Sequence, residues 1–388
     1  MRNFNLDGFL EVMLGVSDRV SDLNFSVGKP PQVELDGELK PVEFAGVERL
    51  SPYQTEHIAM QLIQGNKDTV HTLVSTGSVD CSYAIPGKSR FRVNIFQQRG
   101  THAIVLRVIN TEIPTVERLG LPDEVNKVAE LKNGVVLVTG PTGSGKSTTL
   151  AAIIDKINRE KPYHIVTIED PVEYMHLHKT STVNQREVGS DTKSFGLALR
   201  AALRQAPKVI LIGEMRDVET IETALEAAET GHLVLSTLHT IDAAKTIDRI
   251  IGVFPKDQEP QIRTRLAQSF RYIISQRLMP KVSGGRVAAL EILKSSMRTR
   301  DYVSKGEGEG KSLVDAMIDG SNDGMQEFDG VLEKMVIQGL ITPETALTYA
   351  TNNTNLALKL ADVARGEESS DDDIIALAPS HDQMELEP

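Results

Sequence analysis

The residues whose types and spacing suggest chemistry most directly lie in a glycine-rich stretch at 140–148. An apolar run at 135–138 precedes it, and an i, i+3, i+4, i+7 apolar pattern from Leu150 to Ile157 follows it. The spacing Gly-x-x-x-x-Gly-Lys-Ser between a strand and a helix is typical of a loop whose backbone N–H groups bind nucleotide phosphates. A glycine turn of purely structural use is the alternative, but it needs neither the strand nor the helix. The sequence therefore predicts a nucleoside triphosphate site.

Each residue type in this loop has its own task in binding phosphate. Gly143 and Gly145 lack a Cβ atom, so the backbone can curl around the phosphates. The ammonium group of Lys146 would reach the β- and γ-phosphates, and the hydroxyl of Ser147 would bind Mg²⁺. The predicted nucleotide-binding residues are Gly140, Thr142, Gly143, Ser144, Gly145, Lys146, Ser147 and Thr148.

Carboxylates follow two further apolar strands, with Glu169 after 165–168 and Glu214 after 209–212. Hydrolysis of a bound triphosphate needs a group that orients the attacking water. Gly213 stands where many P-loop proteins carry an Mg²⁺-binding aspartate, so Glu214 is a general base, a water-mediated Mg²⁺ ligand, or both. A solvated strand end is the alternative for each carboxylate, but two of them in one P-loop domain favour function. Of these residues, Ser147 and Glu214 are the predicted metal ligands.

The pattern of apolar residues divides the chain into four segments. Residues 1–108 predict a small α+β domain, and 109–122 a linker punctuated by proline and glycine. Strands and helices alternate in 123–361, as in an open α/β sheet with its ligand at the carboxyl edge, and helices predominate from about residue 257. The acidic tail at 362–388 predicts disorder.

The composition of the 388 residues narrows the possible functions further. A net charge of −12 disfavours the broad basic surface of a nucleic-acid translocase, so we expect no nucleic-acid partner. A single cysteine excludes an internal disulfide and any multi-cysteine zinc site. No apolar run is long enough to span a membrane, and no secretion signal is present at the N-terminus. These features predict a cytoplasmic protein, with peripheral docking to a membrane machine left open.

The motifs together resemble the secretion and type IV pilus ATPase superfamily. Its Walker A, aspartate box, Walker B and histidine box correspond to 140–148, 165–176, 209–214 and 230–249. Within that superfamily the chain is most similar to the pilus retraction ATPases, the PilT/PilU group. The segments that carry this similarity are 90–94, 213–217 and 243–251.

The resemblance implies a PAS-like α+β N-terminal domain followed by a RecA-like P-loop ATPase domain with a helical C-terminal extension. It also implies ATP and Mg²⁺ as cofactors, a homohexameric ring, an inner-membrane pilus platform protein as partner, and pilus retraction (twitching motility) as the function. The residues to which it assigns catalytic roles are Lys146, Glu169, Glu214, His232, His239, Arg92 and Arg107. Glu214 would be the catalytic carboxylate and Glu169 would support Mg²⁺ or the attacking water. Both histidines would lie near the γ-phosphate.

Two departures from the retraction pattern keep alternatives open. The stretch 296–303 differs from the corresponding PilT-type segment, and 206–208 replaces the usual Asp-Pro-Asp. An accessory PilU-like subunit acting with a second retraction ATPase is therefore one alternative. A pilus assembly or type II secretion ATPase is another, although many of those enzymes carry a four-cysteine zinc module.

Overall fold

A computed structural model describes residues 4–35, 37–109, 112–308 and 312–362. These residues form two compact units that interleave along the sequence. The first unit contains the residues up to 115 together with 129–135 and 147–237. The second contains 116–128, 136–146 and the described residues from 238 onward. Among the residues described, no helix is both long and apolar enough to cross a membrane.

The N-terminal part of the first unit is a six-stranded antiparallel sheet in the order β3-β2-β1-β6-β5-β4, with three helices. Its strands are β1 (Val20–Phe25), β2 (Gln32–Leu35), β3 (Glu38–Pro41), β4 (Ser78–Ile85), β5 (Ser89–Gln98) and β6 (Thr101–Ile109). Its helices are α1 (Leu6–Leu14), α2 (Pro52–Ile63) and α3 (Lys67–Thr76). The α+β prediction for this region is confirmed. The strands β2 and β3 pair in antiparallel fashion, and Asp36 between them lies outside the described residues.

Alternation of side chains on β5 produces two different faces of this sheet. Phe91, Val93 and Ile95 are fully buried and belong to the N-terminal core. Arg92 lies on the opposite face and is exposed. Because successive side chains of a strand point to opposite faces, the same strand packs the core and presents cations.

A second, seven-stranded sheet has the order β13-β12-β7-β11-β10-β8-β9. Its strands are β7 (Gly134–Thr139), β8 (His164–Glu169), β9 (Thr182–Glu187), β10 (Val209–Ile212), β11 (Leu233–Leu238), β12 (Phe270–Pro280) and β13 (Arg286–Lys294). The pairs β8–β9, β8–β10 and β10–β11 are parallel. All residues of β7, β10 and β11 are buried, which explains their continuous apolar runs.

Helices follow most of these strands and continue to the end of the described chain. They are α4 (Lys146–Glu160), α5 (Phe195–Ala202), α6 (Val218–Glu229), α7 (Ala243–Ile251), α8 (Glu259–Ser269), α9 (Met297–Lys305), α10 (Leu313–Asp319), α11 (Phe328–Ile337) and α12 (Pro343–Tyr349). The three strands expected at 135–138, 165–168 and 209–212 are all present. The helical C-terminal extension is also present, whereas the disorder predicted beyond residue 362 concerns residues outside the description.

One part of the helical prediction is wrong. Residues 270–280, within the region expected to be mostly helical, form β12, which pairs in antiparallel fashion with β13. The buried side chains of Ile273 and Ile274 are adjacent, so the segment lacks the alternation that marks a half-exposed strand. Periodicity alone does not separate such a buried strand from a buried helix. The pairing with β13 decides the conformation.

Candidate active site

Residues 140–146 of the glycine-rich loop, which follow β7, lie in the second unit, and residues 147 and 148 lie in the first. The ammonium group of Lys146 is largely buried, and it donates hydrogen bonds to the carbonyl oxygens of Gly140 at 2.9 Å and Pro141 at 3.0 Å. These carbonyls belong to the loop itself, so the lysine folds back over it. A phosphate group offers the same ammonium stronger, charged acceptors. The loop is therefore built to exchange internal contacts for ligand contacts.

Two features of the loop fit a bound phosphate chain. The Ser144 hydroxyl is buried and has no hydrogen-bond partner in the described part of the chain. Such an unsatisfied group is costly unless a ligand or water supplies the missing bond. Gly145 has a φ of +88°, and a Cβ there would lie 2.9 Å from Nε2 of Gln276 on β12. A side chain at this position would meet both a strained backbone and a packed neighbour.

The remaining predicted loop residues take positions consistent with their expected tasks. Thr142 is exposed and Gly143 has a φ of +79°, so the tip of the loop is open. Ser147 and Thr148 lie in the first turn of α4, whose first backbone N–H groups have no partner within the helix. The hydroxyl of Thr148 contacts the hydroxyl of Tyr174 at 2.9 Å.

Glu169 ends β8 in the first unit, and two neighbours fix its carboxyl group. The Thr167 hydroxyl donates to Oε1 at 2.6 Å, and the amide of Gln185 on β9 donates to the same oxygen at 3.2 Å. Burial raises the pKa of Glu169 above its ordinary value, although both hydrogen bonds act in the opposite direction. A carboxylate with a raised pKa accepts a proton more readily, which suits a group that orients or activates water.

Glu214 follows β10 by two residues and pairs with Arg216, whose Nε lies 2.6 Å from Oε2. The preceding Gly213 has little room for a side chain. A Cβ there would lie 3.3 Å from Cα of Glu169 and 3.4 Å from the carbonyl oxygen of Ile168. The backbone of β8 therefore occupies the space that an aspartate at position 213 would need.

Within the first unit, Glu169 and Glu214 lie at one edge of the sheet. The register pairs Ile168 of β8 with Ile212 of β10 in parallel, so both carboxylates follow the carboxyl ends of adjacent strands. The neighbouring strand β11 supports this edge, because the Thr237 hydroxyl donates to the carbonyl of Gly213 at 2.6 Å. The structure thus brings these two predicted site residues together.

The two histidines of the predicted site differ in position. His232 precedes β11, and Val209 of β10 is paired with Leu233, so His232 lies at the amino edge, opposite the edge of Glu169 and Glu214. Its Nδ1 lies 2.9 Å from the carbonyl oxygen of Ala227, at the end of α6. His239, in the second unit, directly follows the carboxyl end of β11. The expectation placed both histidines near the γ-phosphate, and the parallel register separates His232 from the carboxylate edge.

Arg92 of β5 and Arg107 of β6 lie directly opposite each other on the exposed face of the N-terminal sheet. Arg107 also pairs with the buried Asp22 of β1, through Nε at 3.0 Å from Oδ1. Like charges directly opposite each other destabilise a sheet. Asp22 balances one of the two charges that face each other here.

Several residues at these edges were missed by the reasoning from sequence. Gln185 joins Glu169 to the segment that follows it, since its Nε2 also donates to the carbonyl oxygen of Tyr174 at 2.8 Å. Gln276 packs beneath the glycine-rich loop. Neither carries a motif signal, because each acts through strand pairing that only the fold reveals. Across the described ranges, no group of three or more histidine, cysteine, aspartate or glutamate side chains could by itself hold a metal ion.

The family model and the similar proteins that match this sequence all point to the same family. Residues 77–312 match the family model described as type II/IV secretion system protein. The chain is 45% identical over 326 residues to the type IV pilus retraction ATPase PilT of Pseudomonas aeruginosa, a match that covers 84% of this chain and 93% of that protein. It is 41% identical over 364 residues to the type IV pilus ATPase PilU of the same organism, with 92% and 91% covered.

A solved structure supports the fold. The crystal structure of the pilus retraction motor PilT with bound ADP superposes with a TM-score of 0.80 at 45% identity. The superposition covers 91% of this chain and 99% of that one. The strand order and helical extension described above are therefore those of a secretion ATPase.

Proposed function

Since this chain belongs to the family of type II/IV secretion system proteins, we propose that it is the ATP-hydrolysing motor that retracts a type IV pilus. The observation that carries the proposal is 45% identity to a retraction ATPase across 93% of that relative's length. The glycine-rich loop adds physical support, because Lys146 and the unsatisfied Ser144 hydroxyl suit a phosphate chain.

Individual residues of the chain have separate roles in ATP binding and hydrolysis. Lys146 exchanges its hydrogen bonds to the carbonyl oxygens of Gly140 and Pro141 for bonds to oxygens of the β- and γ-phosphates. The backbone amides at the start of α4 bind the same phosphates. Glu214 acts as the catalytic carboxylate, and Glu169 orients water. The hydroxyl of Ser147, with Glu169 and Glu214 through water, would hold Mg²⁺, which neutralises phosphate charge when bound.

Groups outside the loop complete the proposed arrangement. His239 senses the γ-phosphate, and Arg92 and Arg107 present guanidinium groups to it, since planar, delocalised cations suit phosphate oxygens. His232 is not part of this proposal, because its ring is bound at the amino edge of β11. Residues 1–108 and 123–361 act as two domains joined by the linker.

The family resemblance supports a proposed assembly. We propose a homohexamer that works in the cytoplasm against an inner-membrane pilus platform protein, with ATP hydrolysis converted into motion. An accessory role beside a second retraction ATPase is the other candidate. The 41% identity to PilU, which extends over 92% of this chain, favours it, as does the altered stretch at 296–303.

Steady-state ATP hydrolysis by the purified chain, with Lys146→Ala as the blank, tests the proposal first. We expect turnover by the wild-type chain alone, and restored retraction when the gene is supplied to cells that lack their own retraction ATPase. Nucleotide binding without turnover would instead indicate the accessory role. Absence of both binding and turnover would contradict the proposal.

Glu214→Gln separates chemistry from binding. Because the amide keeps the size of the carboxylate but does not accept a proton, we expect ADP affinity to change less than about threefold while turnover falls by about 10²-fold or more. Calorimetric ADP binding and phosphate release measure the two quantities. Wild-type turnover in this variant would overturn the role of Glu214.

A further inference from the structure

A buried ion pair joins the N-terminal sheet to β9 within the first unit. The guanidinium group of Arg90 on β5 lies 2.7 Å from Oε2 of Glu187, and the two side chains are only 18% and 4% exposed. The same Arg90 nitrogen donates to the hydroxyl of Ser82 at 3.2 Å. Its Nε atom is buried with no hydrogen-bond partner among the described residues. A buried pair with an unsatisfied donor contributes little net stability, so its presence suggests another purpose.

Glu187 connects this pair to the segment that follows Glu169. Its Oε2 also accepts a hydrogen bond from the backbone N–H of Val172 at 3.1 Å. Glu187 and Glu169 are direct partners in the parallel register of β8 and β9, and the N–H of Val188 donates to the carbonyl of Glu169 at 2.9 Å. The Glu187 carboxylate therefore holds the aspartate box at Val172, and the backbone of the next residue, Val188, holds it at Glu169.

Gln185, on the same strand as Glu187, extends the connection to the Glu169 side chain. It donates to the Glu169 carboxyl group and accepts a hydrogen bond from the backbone N–H of His176 at 2.8 Å. A shift of β9 would move Gln185 and the carboxyl group of Glu169 together. Polar contacts thus join Arg90 to β9 at Glu187 and join β9 to the Glu169 carboxyl group at Gln185, with the strand itself as the link between them.

We propose that Arg90 is a positioning residue for ATP hydrolysis, holding the aspartate box, and through it the Glu169 carboxyl group, in register with the N-terminal sheet. The neighbouring Arg92 lies on the same face of β5 but is exposed, whereas Arg90 forms a buried ion pair with Glu187. The two arginines of β5 therefore have different tasks. The inference rests on the proposed role of Glu169.

The test compares Arg90→Met and Glu187→Gln with wild type. We expect kcat to fall roughly tenfold in each, with KM and ADP affinity within about twofold, because coupling through a packed network typically changes one step and leaves ligand contacts intact. Arg90→Lys, which keeps the charge with fewer donors, should recover part of the loss. If Arg90→Met does not fold, Arg90→Lys and Glu187→Gln still test the proposal.

Lys88→Met is the matched control. Lys88 lies beside β5 and forms an exposed ion pair with Glu11 at 2.6 Å, within the N-terminal sheet domain. Its removal should leave kcat unchanged, since an exposed pair contributes little and has no contact with the aspartate box. Wild-type kcat in both Arg90→Lys and Glu187→Gln, or an equal loss in Lys88→Met, would overturn the proposal.

A double variant that combines Glu187→Gln with Glu169→Gln tests whether Arg90 acts through Glu169. If Arg90 acts through Glu169, adding Glu187→Gln to Glu169→Gln should lower single-turnover hydrolysis by less than about twofold further. A further tenfold loss would show that Arg90 acts elsewhere and would overturn the inference. Wild-type hydrolysis in Glu169→Gln alone would instead refute the proposed role of Glu169, a separate failure.

Discussion

At the residue scale, Gly213 occupies the position before Glu214 at which many P-loop proteins carry an aspartate. The sequence reveals the departure but not its cause, which is the approach of the β8 backbone to within 3.3 Å of a Cβ at that position. The positions of Lys146 after β7 and of Glu214 after β10 could be predicted because they depend on local spacing. Gln185 could not, because it acts through a strand pairing between distant segments.

Gly213→Ala tests this crowding with a single methyl group. We expect the free energy of unfolding to fall by about 1–3 kcal/mol, because two of the three nearest atoms belong to the paired backbone of β8. Gly308→Ala is the matched control, since a Cβ there meets no described atom within 4 Å. Urea denaturation measures both variants, and equal stability would refute the crowding argument.

At the element scale, α7 depends on a carboxyl group from another strand. The backbone N–H of Ala243, the first residue of α7, donates to Oε1 of Glu291 on β13 at 2.7 Å, while Asp242 caps the helix through the N–H of Lys245. The sequence predicted α/β alternation and the carboxyl-edge site. It did not predict β12, and the cap from β13 follows from long-range pairing that local patterns do not encode.

Burial raises the pKa of Glu291 from 4.5 to about 7. A folded-state pKa above the unfolded value means that the folded state binds the proton more tightly. The stabilisation is therefore full below about pH 4.5 and is lost as the pH rises through about 7. We expect Glu291→Gln to remove a pH-dependent contribution on the order of 1–3 kcal/mol. Urea denaturation between pH 5 and pH 8 measures this, and an unchanged pH dependence in the variant would contradict it.

At the scale of the whole molecule, the proposed motor requires the N-terminal sheet to take part in chemistry performed on the P-loop. Arg107→Ala tests that requirement. We expect turnover to fall at least about tenfold, because a guanidinium group at developing phosphate charge contributes several kcal/mol to catalysis. ADP binding should remain, since the glycine-rich loop is intact.

The ion pair of Arg107 with Asp22 offers a second explanation for any loss, and Asp22→Asn distinguishes the two. Arg107 is 72% exposed but Asp22 is only 7% exposed, so removing Arg107 leaves a buried carboxylate without its cation, whereas Asp22→Asn keeps the size of the side chain and removes its charge. If Arg107 only neutralises Asp22, adding Asp22→Asn to Arg107→Ala should restore turnover and thermal stability. If Arg107 serves the nucleotide, Asp22→Asn alone should retain turnover and the double variant should stay as inactive as Arg107→Ala. Phosphate release and thermal unfolding of the two single variants and the double variant, measured side by side, therefore decide whether this sheet belongs to the motor's chemistry or only to its architecture.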